Sequence, residues 1–336
     1  MGGGSWTDAA YGDRATSRAK TGISAFAFSD SSKASGVLKV HKNLDPKKKN
    51  KAGQIIRESR DSKEHPESLG IAVLIDVTGS MSGTPKIFQA ALPKLMGLLL
   101  RKGYVDHPHV LFGAVGDGYS DCVPVQIGQF ESDITMEDCL SQMILEGNGG
   151  GSMHESYQLA MHFLAEHAAM DCVEKRGHKG FLFILGDEAP YDSVTREHAK
   201  QWLGEDIEAD IPIEAVVAKL KEKFNVFFIQ PAGASYQGEA AVLGPWKKLL
   251  QQNVLHLSDA NAVCEFIAGI IGVNEGRLDA DQFEADLLDV GTDSGSAKVA
   301  SKALTTYARS AGITKTAKVT GDLATADTGA PAVERV

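Results

Sequence analysis

The sequence has little of what marks several large classes of protein. Its 336 residues include only 4 cysteines, which are scattered, so neither a disulfide framework nor a zinc ribbon is indicated. No stretch approaches the roughly 18 consecutive apolar residues of a transmembrane helix, and the N-terminus lacks the basic and apolar regions of a signal peptide. We therefore expect a cytoplasmic protein that is not inserted in a membrane.

Positive charge is also scarce. The chain has 34 Lys and Arg residues against 44 Asp and Glu residues, a formal net charge of −10. Because nucleic acids and anionic lipids repel an acidic surface, we expect neither nucleic acid nor membrane as a partner. The charge is unevenly distributed, since residues 1–68 hold 13 Lys and Arg against 8 Asp and Glu, a net charge of +5, which leaves −15 on residues 69–336. This change indicates a domain boundary.

The composition divides the chain into three predicted regions. Residues 1–68 form a basic N-terminal arm and linker, rich in Gly, Ser, Lys and Asp, with short strands expected at 24–28 and 36–40. Its aromatic residues favour an arm that docks on the protein's own domain. Residues 69–275 form one domain. Residues 276–336 are expected to be a flexible C-terminal tail, with a short helix at about 297–308.

Apolar runs alternate with helical patterns in the central domain. The runs are typical of strands buried on both faces of a parallel sheet, and they lie at 71–76, 110–115, 181–185, 226–229 and, more weakly, 254–257. The helical patterns between and after them lie at 85–99, 154–170, 213–224, 240–251 and 260–271. This alternation predicts an α/β fold with a doubly wound, mostly parallel sheet and helices on both faces.

Oxygen-bearing side chains lie where an open parallel sheet binds ligands, beyond the carboxyl ends of its strands. The first run ends in Asp76-Val-Thr78-Gly-Ser80, which places one carboxylate and two hydroxyls in a tight loop. The glycine-rich segment 146–152 begins the next helical pattern, and the run 181–185 continues into Gly-Asp187-Glu. Hard oxygen donors without His or Cys favour Mg²⁺, with Mn²⁺ or Ca²⁺ as substitutes. A lone Asp-x-Thr-x-Ser loop is more often a helix cap, but three such loops together predict a cation site.

These loops make residues 69–273 resemble a von Willebrand factor type A (VWA) domain, with Asp76 to Ser80 as its metal-ion-dependent adhesion site (MIDAS). The resemblance implies a Rossmann-like fold and one bound divalent cation, usually Mg²⁺. It also implies a ligand set: Thr78 and Ser80 directly, Asp76 and Asp187 directly or through water, and Ser152 as a third hydroxyl. Asn148 and Ser156 are alternatives to Ser152 in that role.

The resemblance also implies what the domain does. An open position on the cation accepts an Asp or Glu from a protein partner, so the domain acts as an adaptor rather than an enzyme. Intracellular relatives of this kind include partners of MoxR-type AAA+ ATPases.

Two other functions stay open. A Mg²⁺-dependent hydrolase is chemically possible, although the sequence has no P-loop lysine, no second carboxylate at Thr78 and no GxSxG motif. Asp117 and Asp121 could belong to the rim of the cation site or to a solvated turn, and the sequence favours neither. Glu155 could be a functional acid or a charge that stabilises the N-terminus of a helix. The third function is an assembly protein that uses the arm to pair subunits.

Overall fold

The structure is a computed structural model that describes residues 4–147 and 151–313. The described residues form 12 strands: β1 (Arg57–Ser59), β2 (Leu69–Asp76), β3 (Pro108–Val115), β4 (Val125–Ile127), β5 (His154–Glu155), β6 (Ala168–Met170), β7 (Gly180–Leu185), β8 (Ala189–Pro190), β9 (Ser193–Val194), β10 (Ile211–Pro212), β11 (Phe224–Pro231) and β12 (Val254–Leu257). They also form 12 α-helices: α1 (Asp8–Thr21), α2 (Ala27–Ser35), α3 (Thr84–Met96), α4 (Thr135–Ser141), α5 (Tyr157–His167), α6 (Asp171–Glu174), α7 (Arg196–His198), α8 (Ile213–Lys223), α9 (Ala240–Leu250), α10 (Val263–Asn274), α11 (Phe283–Asp289) and α12 (Ser294–Ser310). Short 3₁₀ or π turns lie at 79–81, 97–101, 199–203, 251–253 and 260–262.

A six-stranded sheet forms the centre of the molecule, in the order β12-β11-β7-β2-β3-β4. Every neighbouring pair is parallel except β3 and β4. The five predicted strands are confirmed as β2, β3, β7, β11 and β12. All residues of β2, β3 and β7 are buried, because helices cover both faces of the sheet, and this explains their unbroken apolar sequence.

The strand order reverses between β2 and β7. The chain leaves β2 towards β3 on one side, whereas it leaves β7 towards β11 on the other. Since parallel crossovers are right-handed, the helices of the two halves lie on opposite faces, where α3 packs with α10 and α5 packs with α8. The predicted doubly wound α/β fold is therefore confirmed. Ile75 lies opposite Leu185, so the loops after β2 and β7 begin side by side at the point where such folds bind ligands.

The N-terminal arm is helical and docks on the domain, as its aromatic residues predicted. The strands expected at 24–28 and 36–40 were wrong, because residues 27–35 form α2 and residues 37–40 have no regular structure. Helix α1 is capped by Thr7 and ends at Gly22, yet none of its own residues is buried. Its position is set by polar contacts instead, such as the Arg18–Glu137 ion pair at 2.7 Å, while Trp6 before it is buried.

The C-terminal region is more ordered than its composition indicated. The expectation of a flexible tail from residue 276 was wrong for 283–310, which form α11 and α12, and the helix expected at 297–308 lies within α12. Small side chains let α12 approach closely, since Ala297 and Ala300 are buried against the domain. The rest of the predicted tail, 314–336, lies outside the described residues. Over residues 4–147 and 151–313, no helix has both the length and the apolar character needed to cross a bilayer.

Candidate metal centre

Asp76 is the last residue of β2, and its carboxylate is fully buried. Its Oδ1 accepts hydrogen bonds from the Thr78 backbone N–H at 2.9 Å and from Thr78 Oγ1 at 2.5 Å. Its Oδ2 accepts one from the Tyr157 hydroxyl at 2.5 Å. The short loop after β2 folds back on its own carboxylate, so Thr78 and Asp76 present adjacent oxygen atoms.

Asp187 lies two residues beyond the end of β7, next to the loop that follows β2. Its Oδ1 accepts a hydrogen bond from Ser80 Oγ at 2.8 Å, and its Oδ2 accepts one from the Tyr236 backbone N–H at 3.2 Å. Ser80 Oγ is also 3.4 Å from Thr78 Oγ1. Four of the five predicted ligands therefore form one connected group of oxygens across the ends of β2 and β7.

The fifth predicted ligand, Ser152, is not part of this group. It is exposed, its Oγ donates to the His154 carbonyl at 3.2 Å, and it lies 3.4 Å from the Tyr191 hydroxyl. The alternative Ser156 is fully buried and accepts a hydrogen bond from the Gly118 N–H at 2.8 Å, which ties the loop after β3 to the start of α5. The other alternative, Asn148, lies outside the described residues.

The charge and chemistry of the group fit a hard divalent cation. Burial raises the pKa of Asp76, and the nearby like charge of Asp187 raises it further. Within the part of the chain that the structure describes, no Lys, Arg or His forms an ion pair with either carboxylate. In that same part, His, Cys, Asp and Glu side chains form no group of three that could hold a metal. Hydroxyls and water would have to complete the coordination, as is common for Mg²⁺.

Comparison with known proteins finds only distant similarities. No family model matches the chain, and no curated protein matches it. A solved structure of the pilus adhesin SpaC from Lactobacillus rhamnosus GG, in its open conformation, matches 65% of this chain at 11% identity with a TM-score of 0.45. Proximal thread matrix protein 1 from the mussel byssus matches 61% at 12% identity with a TM-score of 0.40.

These matches also cover only part of the matched proteins. This chain spans only 31% of the adhesin chain and 47% of the matrix protein chain. Neither a family nor a function follows from similarity at this level.

A pair of buried carboxyls lies beside the candidate site. Glu155 of β5 and Glu188 are hydrogen-bonded to each other, and each has one carboxyl oxygen without a hydrogen-bond partner among the described residues. Burial, together with this contact, raises the pKa of Glu155, and burial raises that of Glu188, because a carboxyl removed from water is less favourable in its charged form. The charge of Asp76 acts on Glu155 and that of Asp187 acts on Glu188. From the sequence, Glu155 could be either a functional acid or a helix N-terminal charge. Its pairing with Glu188 could not be predicted, because it depends on the tertiary contact between β5 and β8.

Tyr157 was not singled out from the sequence. It begins α5, is fully buried, and reaches Asp76 over a glycine: a Cβ atom at Gly186 would lie 2.0 Å from the Tyr157 hydroxyl oxygen. Only glycine leaves room for this contact. A glycine directly after an apolar strand, before an acidic residue, is the one sequence signal that points to such a close approach.

Asp117, which had two possible roles, lies at the rim of the site and is buried. Its carboxylate accepts hydrogen bonds from the Tyr119 N–H, the Ser120 hydroxyl and the Tyr191 hydroxyl, each at 3.1 Å. Its charge acts on both Glu155 and Glu188. The loop after β3 therefore contributes a third strand-end carboxylate to the same acidic region.

Proposed function

We propose that the protein is a metal-dependent protein-binding module of the VWA type. The observation that carries this proposal is the connected group Asp76, Thr78, Ser80 and Asp187 at the point where the strand order reverses. These residues would hold Mg²⁺, or Mn²⁺ or Ca²⁺ in its place, with water completing the coordination. The bound cation would supply an open position for an Asp or Glu of the partner, which the surrounding negative charge would otherwise repel.

The setting and the partner are parts of the same proposal. We infer a cytoplasmic location, supported by 4 cysteines that all have free thiols. The resemblance to intracellular VWA proteins favours an adaptor role, with a MoxR-type AAA+ ATPase as one candidate partner. Neither nucleic acid nor membrane is part of the proposal, because the domain is strongly acidic.

Metal binding is the first experiment. We expect the protein to bind Mn²⁺, followed by the loss of the free-ion signal in electron paramagnetic resonance, and Mg²⁺ to compete for the same site. Ser80→Ala should weaken binding at least about tenfold, because it removes one oxygen donor. Ser82→Ala makes the same change at an exposed residue of the same loop and should leave binding unchanged. Equal Mn²⁺ affinity in all three proteins would contradict the proposed site.

Partner binding is the second experiment. Proteins captured from a native lysate in Mg²⁺ should be lost in EDTA and with Asp76→Asn, and retained with Ser82→Ala. Recovery of the same proteins in every condition would mean that partner binding does not require the cation.

The Glu155–Glu188 pair favours a second candidate function, a Mg²⁺-dependent hydrolase. Buried acids with raised pKa values beside a cation site are typical of proton-transfer groups. Such an enzyme would hydrolyse a generic phosphodiester, bis(p-nitrophenyl) phosphate, only in the presence of Mg²⁺ or Mn²⁺. Glu155→Gln would abolish turnover and leave Mn²⁺ binding intact. If the wild-type protein shows no metal-dependent turnover, this candidate fails.

A further inference from the structure

The loops around the candidate cation site hold more negative charge than one cation offsets. Segments 76–83, 116–124, 151–156 and 186–195 contain 7 Asp and Glu residues and no Lys or Arg. A dication offsets two of these seven charges. A partner carboxylate that approaches the cation meets the remaining excess, so a partner that also brings positive charge beside its acid binds more favourably.

An aromatic surface lies next to these carboxylates. We call it the aromatic rim, formed by Tyr119, His154, Tyr191 and His198. Tyr119 is 62% exposed, and its ring centroid is 4.8 Å from that of Tyr191 and 4.3 Å from that of His198. The His154 ring stacks on Tyr191 with a centroid distance of 5.3 Å. The rim is built from the loop after β3, the start of β5, the loop after β8, and α7.

The rim is held in place by contacts to the acidic loops. The Tyr191 hydroxyl donates to Asp117 Oδ1 at 3.1 Å, and the Tyr119 backbone N–H donates to the same oxygen at 3.1 Å. The Trp202 indole N–H donates to the Gly118 carbonyl at 3.3 Å. The Tyr191 ring and the backbone of Tyr119 are therefore held in place before any partner arrives, and the Tyr119 ring packs against Tyr191 and His198, which lowers the entropy cost of binding to the rim.

The basic residue that follows the last of these acidic segments in the chain is engaged elsewhere. Arg196, the first basic residue after segment 186–195, donates through its Nε to the Ile207 carbonyl at 3.1 Å, while its backbone N–H donates to Asp210. The rim thus combines the exposed Tyr119 side chain and the partly exposed Tyr191 side chain with the buried carboxylate of Asp117 behind them. Aromatic faces and carboxylates both attract a guanidinium or ammonium group.

We propose that the aromatic rim binds an arginine or lysine side chain of the protein partner, a few residues from the acidic side chain that the cation binds. This inference rests on the proposed function and deepens it, because it describes the partner's recognition segment as acidic and basic together. The acid reaches the cation between the ends of β2 and β7, and the base lies over Tyr119 in front of Asp117.

Short synthetic peptides test the inference directly. The probes are Gly/Ser peptides with one central Asp and a single Arg placed in turn at each position on either side, each paired with a peptide that carries neutral citrulline at that position. Binding is measured by calorimetry in Mg²⁺. At one or two neighbouring positions, Arg should bind about fivefold more tightly than citrulline, the factor expected from a cation over an exposed aromatic face.

Two variants connect the preference to the rim. Tyr119→Ser removes the exposed ring and should abolish the preference for Arg without changing Mn²⁺ affinity or the affinity for the citrulline peptide. Tyr119→Phe keeps the ring and should keep the preference. Equal binding of Arg and citrulline peptides at every position, or a preference unchanged in Tyr119→Ser, would overturn the inference and leave the proposed function standing. If no Asp peptide binds, or if binding persists in EDTA, both fail.

Discussion

At the scale of single residues, the Tyr157 hydroxyl is the contact on which the buried Asp76 carboxylate depends. Tyr157→Phe removes the donor at 2.5 Å from Oδ2 and leaves that oxygen in an interior that water does not reach. We expect the metal-free protein to lose about 1–3 kcal/mol of unfolding free energy, measured by urea denaturation in EDTA. Tyr104→Phe is the matched control, since the Tyr104 hydroxyl donates to a carboxylate, Asp286, that is partly exposed. An equal loss in both variants would show that the Asp76 contact has no special weight.

A second prediction at this scale concerns pH. His109 of β3 is buried, its Nδ1 lies 3.1 Å from Ser59 Oγ, and its ring packs against His65. Burial lowers its pKa to about 4, with the positive charge of His65 as a further cause. In the unfolded chain the pKa is about 6.5, so protons bind preferentially to the unfolded state between these two values. This residue should therefore reduce stability as the pH falls from about 6.5 to 4, by up to about 3 kcal/mol, and should have no pH effect above that window.

The measurement is the unfolding free energy across that pH range in the wild-type protein and in His109→Gln, which cannot titrate. The wild-type curve should fall more steeply towards pH 4. Parallel curves for the two proteins would contradict the assignment. The difference between the curves isolates His109, because all other titrating groups are common to both.

At the scale of elements, charged side chains are the main contacts that hold helix α1 to the domain, beside the partly buried Tyr11 ring. Arg18 contacts Glu137 at 2.7 Å, and Arg14 contacts it at 3.5 Å, while the Glu137 side chain is 1% exposed. Replacing both arginines with alanine leaves a buried carboxylate without a countercharge and should cost about 2–3 kcal/mol. The control is Lys248→Ala, which breaks an exposed pair with Glu214 and should change the urea midpoint little. If α1 detaches without loss of stability, the arm is not part of the folded domain.

The same helix shows why the arm was not predicted from its sequence. Periodic apolar residues are the main sequence signal of a helix, and α1 buries none of its own. Its partners lie far away in the chain, such as Asp138 for Arg14, so no local pattern contains them. By contrast, the strands β2, β3, β7 and β11 were recognisable because burial on both faces requires an unbroken apolar run.

In the candidate site, too, some residues follow from local sequence patterns and others depend on tertiary contacts. Asp76, Thr78, Ser80 and Asp187 were predictable because strand ends are fixed by the fold class, and the carboxyl ends of neighbouring parallel strands meet at one edge. Ser152 was placed by loop composition alone, and it lies instead against His154 and Tyr191. The Glu155–Glu188 contact depends on how two strands of two residues pair, which sequence periodicity does not specify.

At the scale of the whole molecule, the metal should govern stability through the charge that it offsets. In the absence of metal, burial and the charge of Asp187 both disfavour the ionised form of Asp76. Mg²⁺ at about 100 times its dissociation constant should therefore add about 2.7 kcal/mol to the unfolding free energy.

Asp76→Asn separates the two effects. It removes one of the repelling charges, and the amide oxygen can still accept from Thr78 while the amide N–H donates to the Tyr157 hydroxyl, so we expect the metal-free variant to be at least as stable as the metal-free wild-type protein. Because it also removes a ligand, Mg²⁺ should no longer stabilise it, and the order of stability should reverse when Mg²⁺ is added. Thermal unfolding of both proteins in EDTA and in Mg²⁺ measures this, with added NaCl of equal ionic strength as the control for general screening. Two outcomes would contradict the site: NaCl stabilises the wild-type protein as much as Mg²⁺ does, or Mg²⁺ stabilises Asp76→Asn as much as it stabilises the wild type. Either result would mean that Mg²⁺ acts on the acidic surface as a whole and not at the ends of β2 and β7.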